Sequence, residues 1–326
     1  MKVTVLGAGA WGTSLAKLLH EGGHKVTLWA HAPETLEAIK QTGLNECYLP
    51  GITLPRDWAV EPNLLRSVVD AECVVVAVPS KAFRDVTAQI SGFKGPVVSV
   101  TKGIDYETGR TMCGVLAQTI PGALPVALSG PTLAMEVARG VPTAIVAASS
   151  DSAAAQTVQG LFHRPSFRVY TSLDPLGVEL GGALKNVVAI AAGVGDGFGF
   201  GDNSKAALIT RGIAEMRRLG LACGAQGETF SGLSGLGDLT VTCCSRLSRN
   251  RGLGEKLGRG EKLHEILAKA TAVAEGYPTA RSAYFLAHRL GVDTPIIDEV
   301  YAVLYEGKNV GKALQDLTSR EMKAEN

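Results

Sequence analysis

Along the first half of the chain, runs of consecutive apolar, mostly β-branched residues alternate with stretches in which apolar residues recur every three or four positions. Runs of the first kind occupy 2–6, 25–29, 73–78, 96–100, 125–128 and 144–148. The helical spacing falls at 13–19, 33–41, 83–90, 110–120 and 153–161. Strands apolar on both faces and separated by helices predict a parallel sheet covered on both sides. After Leu173 the strand signal fades, and helical periodicity takes over at 176–194, 204–219, 254–257, 261–270 and 279–290. In the turn Thr171-Ser172-Leu173-Asp174-Pro175, Asp174 or Ser172 is placed to start a helix and Pro175 to stand in its first turn. The expected class is α/β, with a doubly wound domain over 1–173 and an all-helical domain over 174–326.

A chain of 326 residues is long enough for two such cores. The 32 basic and 31 acidic residues give a net charge of +1. That balance argues against a nucleic-acid partner for the whole surface and leaves room for a local anion pocket. Glycine makes up 39 of the 326 residues, well above the average of about 7%, which predicts many tight turns and close backbone approaches. The six cysteines form no Cys-x-x-Cys pair, and several lie in apolar segments. They are expected to be reduced and buried, as in a cytoplasmic protein. No continuous apolar run approaches the ~18 residues of a membrane span, so neither a span nor an export signal is expected.

Gly7-Ala8-Gly9-Ala10-Trp11-Gly12 matches G-x-G-x-x-G, with a strand before it and a helix after it. The first glycine permits the turn, the second lets backbone approach a pyrophosphate, and the third lets helix and strand pack closely. Backbone N–H groups at the helix start would face the phosphates. In this context the motif predicts a Rossmann-like dinucleotide site. An acid at the end of the second strand would select NAD, but the chain reads Trp29-Ala30-His31-Ala32, with no acid before Glu34. His31 is equally a surface histidine or a companion for the 2′-phosphate of NADP, so NADP is slightly favoured over NAD, with dual use open.

From Leu180 to Gly195 the one charged side chain is Lys185, with Asn186 beside it and Gly181, Gly182, Val188 and Ala189 as its helical neighbours. A lysine desolvated by such company has a lowered pKa and suits acid/base work; pattern alone allows a snorkelling lysine equally well. Ser231 to Asp238 is a second glycine-rich segment ending in an acid. Ser248-Arg249-Asn250-Arg251 precedes a helical pattern, where Ser248 can cap and Arg249 can grip an anion. A capped helix with a solvated basic turn accounts for the same residues. Lys102 and Gly130-Pro131-Thr132 follow strands, where α/β proteins bind ligands, although a loop lysine is often only solvated. The alternating Gly193, Gly195, Gly197, Gly199 and Gly201 suggest a loop that moves over substrate, or an irregular connection without a role. Histidines and cysteines show no metal spacing, so no metal is expected.

Taken together the motifs resemble a family: the soluble, prokaryotic-type NAD(P)-dependent glycerol-3-phosphate dehydrogenases. The resemblance covers nearly the whole chain and is carried by GAGAWGT at Gly7, TKGI at Thr101, SGPTLAMEVARGVPTA at Ser129 and LKNVVAIAAGV at Leu184. NSKAALITRGIAEM at Asn203, SGLGDLTVTC at Ser234, SRLSRNRGLG at Ser245 and VAEG at Val273 extend it. The resemblance implies that Lys185 is the general acid/base in the interconversion of dihydroxyacetone phosphate and sn-glycerol 3-phosphate. It implies that Lys102 orients substrate and depresses the pKa of Lys185. Asp238 would position the substrate, Ser248, Arg249 and Asn250 would hold its phosphate end, and Gly130 and Thr132 would line the pocket. Gly7, Gly9, Ala10, Trp11, Gly12, His31, Lys102, Ala134, Arg249, Val273 and Glu275 would lie along the cofactor. A homodimer and a supply of glycerol 3-phosphate to phospholipid synthesis are further implications. Two departures stand out: Ala32 where many relatives carry a basic residue, and Thr132 in place of a commoner serine. The alternatives are another two-domain dehydrogenase, acting on a hydroxyacid or hydroxyacyl thioester, and a cofactor-binding regulator without turnover.

Overall fold

The computed structural model describes residues 1–269 and 273–319. Eight strands form one sheet: β1 (Lys2–Leu6), β2 (Lys25–Trp29), β3 (Ala59–Val60), β4 (Cys73–Val76), β5 (Gly95–Ser99), β6 (Ala123–Ser129), β7 (Thr143–Ala148) and β8 (Phe167–Ser172). Their spatial order is β3-β2-β1-β4-β5-β6-β7-β8. The order reverses at β1, so the crevice beyond the carboxyl ends of β1 and β4 is the switch point where doubly wound folds bind ligands. Val74, Val75 and Val76 have no exposed surface, as a strand covered on both faces requires.

The sheet departs from the all-parallel expectation at one place, where β7 runs antiparallel to β6 and β8 follows β7 in parallel. The sequence reading also omits β3 and β8. Two residues carry no pattern, and in β8 every second residue from Arg168 to Tyr170 is exposed, so the strand lacks a continuous apolar run. The reversal matters for the site. The chain leaves the sheet beside Ala127 rather than at the carboxyl end of β6, because Ser172 pairs with Ala148 and Ala148 with Ala127. The helix Pro175–Gly197 then runs back: Val178 packs with Ala127 and Ala148, and Gly182 lies against Ser129. Lys185 is thereby carried about one turn past the end of β6.

That helix starts where the sequence places it. Pro175 is in its first turn and the Asp174 side chain accepts from Gly177 N, while Asp174 Oδ2 also accepts from Gln226 N and Thr229 Oγ1. Apolar all round, it is the core of an all-helical domain. Its length and composition are those of a helix able to cross a membrane, which a count of uninterrupted apolar residues overlooks, and the apolar window lies wholly inside the fold. Packed on it are the helices Asp202–Ala222, Asp238–Cys244, Arg249–Gly258, Gly276–Leu290 and Pro295–Tyr305. Of the helical pattern at 261–270, Leu263–Ala268 is helical and residue 270 lies outside the described residues, as do 320–326.

The alternating glycines are not a loop from the start. Gly193, Gly195 and Gly197 belong to the central helix, and only Gly199 and Gly201 stand in the connection to Asp202. Two serve close helix packing: a Cβ on Gly193 would stand 1.9 Å from the Arg251 carbonyl oxygen, and one on Gly254 1.9 Å from that of Ile190. Gly254→Ala gains up to about 1 kcal/mol of helix propensity, but the overlap with rigid backbone forces the helices apart at about 1–3 kcal/mol. A net loss of stability is expected in urea unfolding, and an unchanged midpoint would contradict the packing argument.

Candidate active site

Three polypeptide segments meet beyond the end of β6. The loop after β5 brings Lys102, the central helix brings Lys185, and the glycine-rich segment delivers Asp238. That segment makes a wide turn closed by Gly237 N donating to Gly232 O, a geometry often found at functional sites. Lack of a side chain at Gly181 lets the segment lie flat on the helix, since a Cβ there would be 2.7 Å from Ser234 O. The helix Asp238–Cys244 follows directly.

Asp238, 1% exposed, joins the two lysines. Lys185 Nζ donates to Asp238 Oδ1 at 2.6 Å, and Lys102 Nζ to Asp238 Oδ2 at 2.6 Å. Lys185 Nζ also donates to Thr242 Oγ1 at 2.6 Å, and that hydroxyl donates to Asp238 O. Lys102 Nζ donates to Gly130 O at 3.0 Å and reaches Thr132 Oγ1 at 3.5 Å. Burial lowers the pKa of Lys185 to about 8; the Asp238 carboxylate opposes that fall, and the Lys102 ammonium adds to it. A lysine so placed is protonated at neutral pH yet can give up its proton there, as acid/base chemistry requires.

Ser248 caps the helix Arg249–Gly258, its side chain accepting from Arg251 N. Arg249 is exposed, yet enough of its surroundings are protein for desolvation to lower its pKa against the pull of Glu275. Asn250 is buried, and its side chain is engaged: Nδ2 donates to Asn186 Oδ1 at 2.8 Å, and Oδ1 accepts from Gly276 N at 2.9 Å. One amide thus ties together the neighbours of Lys185, Arg249 and Glu275. The Glu275 carboxylate accepts from Ser80 N and Ser80 Oγ, which joins the helical part of the chain to the start of the helix Ser80–Gln89. Burial raises the pKa of Glu275, against the Ser80 donors and Arg249.

The residues present fit a dinucleotide. At Gly7 φ is +119°, and a Cβ there would stand 2.6 Å from Ala77 O; one on Gly12 would stand 1.9 Å from Gly7 O. A Cβ on Gly9 would meet open space, so that glycine faces the side from which a phosphate would approach. No side chain caps the helix Ala10–Glu21, leaving the N–H groups of Ala10, Trp11 and Gly12 available to an anion. Trp11 Nε1 is buried without a hydrogen-bond partner among the described residues. Ala134 O accepts from Ser14 Oγ of the same helix, whereas His31 and Val273 are exposed.

The structure therefore joins Lys102, Gly130, Thr132, Lys185 and Asp238 by direct hydrogen bonds. Ser248, Arg249 and Asn250 are fixed beside them through Asn186. Sequence reasoning missed Thr242, Ser80 and Gly276. The signal for Thr242 was available: it stands four residues after Asp238, on the same helical face, once 238–244 is read as a helix.

A Rossmann-like sheet with a glycine-rich turn, joined to an all-helical domain that supplies a buried lysine of lowered pKa, defines a two-domain nucleotide-dependent dehydrogenase. The chain belongs to the NAD-dependent glycerol-3-phosphate dehydrogenase family: residues 2–155 match its N-terminal model and 174–315 its C-terminal model. A glycerol-3-phosphate dehydrogenase (NAD(P)+) from Geobacter sulfurreducens is 49% identical, covering 99% of this chain and 98% of its own length. One from Chlorobium phaeobacteroides is 47% identical over 100% and 99%. The crystal structure of glycerol-3-phosphate dehydrogenase from Coxiella burnetii superposes with a TM-score of 0.94 at 36% identity, covering 98% of this chain and 99% of that one. Matches at this level over the whole length favour this family over the hydroxyacid and hydroxyacyl alternatives.

Proposed function

We propose that this enzyme interconverts dihydroxyacetone phosphate and sn-glycerol 3-phosphate with NADH or NADPH, using Lys185 as the proton donor and acceptor. The observation that carries the mechanism is the Lys102–Asp238–Lys185 chain, in which one buried carboxylate holds two ammonium groups. When bound, the nicotinamide supplies or accepts the hydride at C2. Lys185 gives its proton to the C2 oxygen during reduction and takes it back during oxidation. Asp238 keeps the ammonium protonated and aimed; Lys102, hydrogen-bonded to Gly130 O, holds the carbonyl end and limits how firmly Lys185 keeps its proton. Arg249 holds the phosphate.

In this reading residues 1–173 hold the cofactor and 174–326 supply the catalytic lysine and the phosphate grip. The six cysteines are free thiols, in keeping with a reducing compartment such as the cytoplasm, but only Cys73 and Cys243 are buried as expected, and Cys47 and Cys244 are exposed. The homodimer of the family is carried into the proposal and is read by light scattering.

The test is the loss of reduced-nicotinamide absorbance with dihydroxyacetone phosphate, NADH and NADPH being compared. Arg249→Ala is expected to raise KM for the phosphorylated substrate about 30-fold or more, with little change for dihydroxyacetone. Equal losses on both substrates would remove Arg249 from the phosphate end.

A further inference from the structure

Arg249 is exposed, so its aim depends on where the first turn of its helix is held. The contact between that helix and the central one is close, backbone against backbone. Gly193 and Gly197 lie at backbone distance from Arg251, Glu255 and Gly258, and Gly254 from Ile190 and Val194; Leu253 and Leu257 pack into the same core as the central helix, and Asn250 donates to Asn186 across the seam. An ion pair stands at this seam. Arg251 Nε lies 2.6 Å from Asp196 Oδ2 as a charge contact without hydrogen-bond alignment, and each side chain is only 11% exposed. Asp196 Oδ1 also holds Lys205 Nζ at 2.8 Å, and Arg251 Nη1 holds Glu255 Oε2 at 3.0 Å. Arg259 also pairs with Glu255, so two acids stand among three bases. Asp196 stands in the last turns of the central helix, eleven residues or about 16 Å beyond Lys185. Arg251 stands two residues beyond Arg249, and its own N–H is the one Ser248 caps.

We infer that the Asp196–Arg251 pair is a positioning device for the phosphate end of the substrate site. Together with the Asn186–Asn250 hydrogen bond it fixes the register of the helix Arg249–Gly258 on the Lys185 helix and so tunes the affinity for the phosphorylated substrate, while taking no part in proton or hydride transfer. Specifying register is the best-attested use of a buried polar or ionic group; the Asn186–Asn250 hydrogen bond ties the start of the helix once, and the Asp196–Arg251 pair ties it a second time two residues beyond Arg249. The inference rests on the reading of Arg249 as the phosphate ligand.

Two variants test it. Asp196→Asn keeps the shape and removes the charge; Arg251→Lys keeps the charge and removes the planar fork. Each is expected to raise KM for dihydroxyacetone phosphate about 10-fold, as a misplaced binding group does. kcat should stay within about two-fold, the pH limb set by Lys185 should not move, and kcat/KM for dihydroxyacetone should hold. A parallel fall in kcat and kcat/KM, an equal loss on dihydroxyacetone, or an unchanged KM in folded variants would each overturn the inference. So would circular dichroism showing that neither variant folds, since the pair would then be a requirement of folding. An inactive parent would remove the proposed reaction and this inference with it; an active parent with variants of unchanged KM would remove the inference alone.

Discussion

Lys185→Ala should bind NADH and NADPH as the parent does and lose about 100- to 10,000-fold in kcat, the usual span for a general acid/base. Binding survives because the phosphate turn is at Gly7 to Gly12, at the end of β1, while Lys185 stands on the central helix. Turnover does not, because no neighbouring group replaces it: Thr242 and Asp238 are its own hydrogen-bond partners, and Lys102 is held by Gly130 O and Asp238. The pH dependence gives an independent reading. With the pKa of Lys185 near 8, reduction needs the ammonium and should fall as pH rises through that value. Oxidation needs the free amine and should rise over the same interval. Steady-state kinetics in both directions, with fluorescence titration of the cofactor, measure this. A kcat within about three-fold of the parent, or limbs of the same sign in both directions, would remove Lys185 from proton transfer.

Asp238→Asn should have the second large effect, on stability and on chemistry together. Removing the one carboxylate between two lysines leaves buried positive charge uncompensated, for which the cost is about 3–5 kcal/mol. Release of the proton from Lys185 relieves part of that cost, so the lower end of the range is expected. Asp238 is what holds the pKa of Lys185 up against burial and Lys102; without it the lysine titrates lower still. The limb of the reduction profile should therefore move below pH 8, and kcat at neutral pH should fall. Calorimetry and a pH–rate profile test the two parts separately. A limb that stays in place would mean that Asp238 does not govern the proton of Lys185.

Much of the fold is legible in the chain because parallel strands covered on both faces leave uninterrupted apolar runs, and β4, with Val74-Val75-Val76, is the plainest instance. The end of β8 was read as the turn into the central helix because its polar residues face outward, and an edge strand of that kind has no such run. The helix Asp238–Cys244 was missed because the glycine-rich segment before it reads as one long loop. For the same reason Thr242 was missed, although it stands one helical turn beyond the acid already singled out. The alternating glycines misled in the other direction. Glycine marks both flexible connections and helices in close contact, and only the neighbour of each glycine distinguishes the two.

By itself the sequence determined the dinucleotide turn, the class of the fold, the entry of the central helix at Asp174-Pro175 and the abnormal company of Lys185, since each depends on residues close together in the chain. Tertiary structure alone decided that Lys102 and Lys185 share the Asp238 carboxylate, because 136 residues separate Lys102 from Asp238. The β6–β7 reversal sends the chain back along the sheet, and that path carries the central helix past Ser129 and Lys185 beyond the end of β6. It also decided that Asn250 spends its amide on Asn186 and Gly276 rather than keeping it free. Local pattern reports which face of a segment is buried, but which partner waits there is fixed only when distant segments pack.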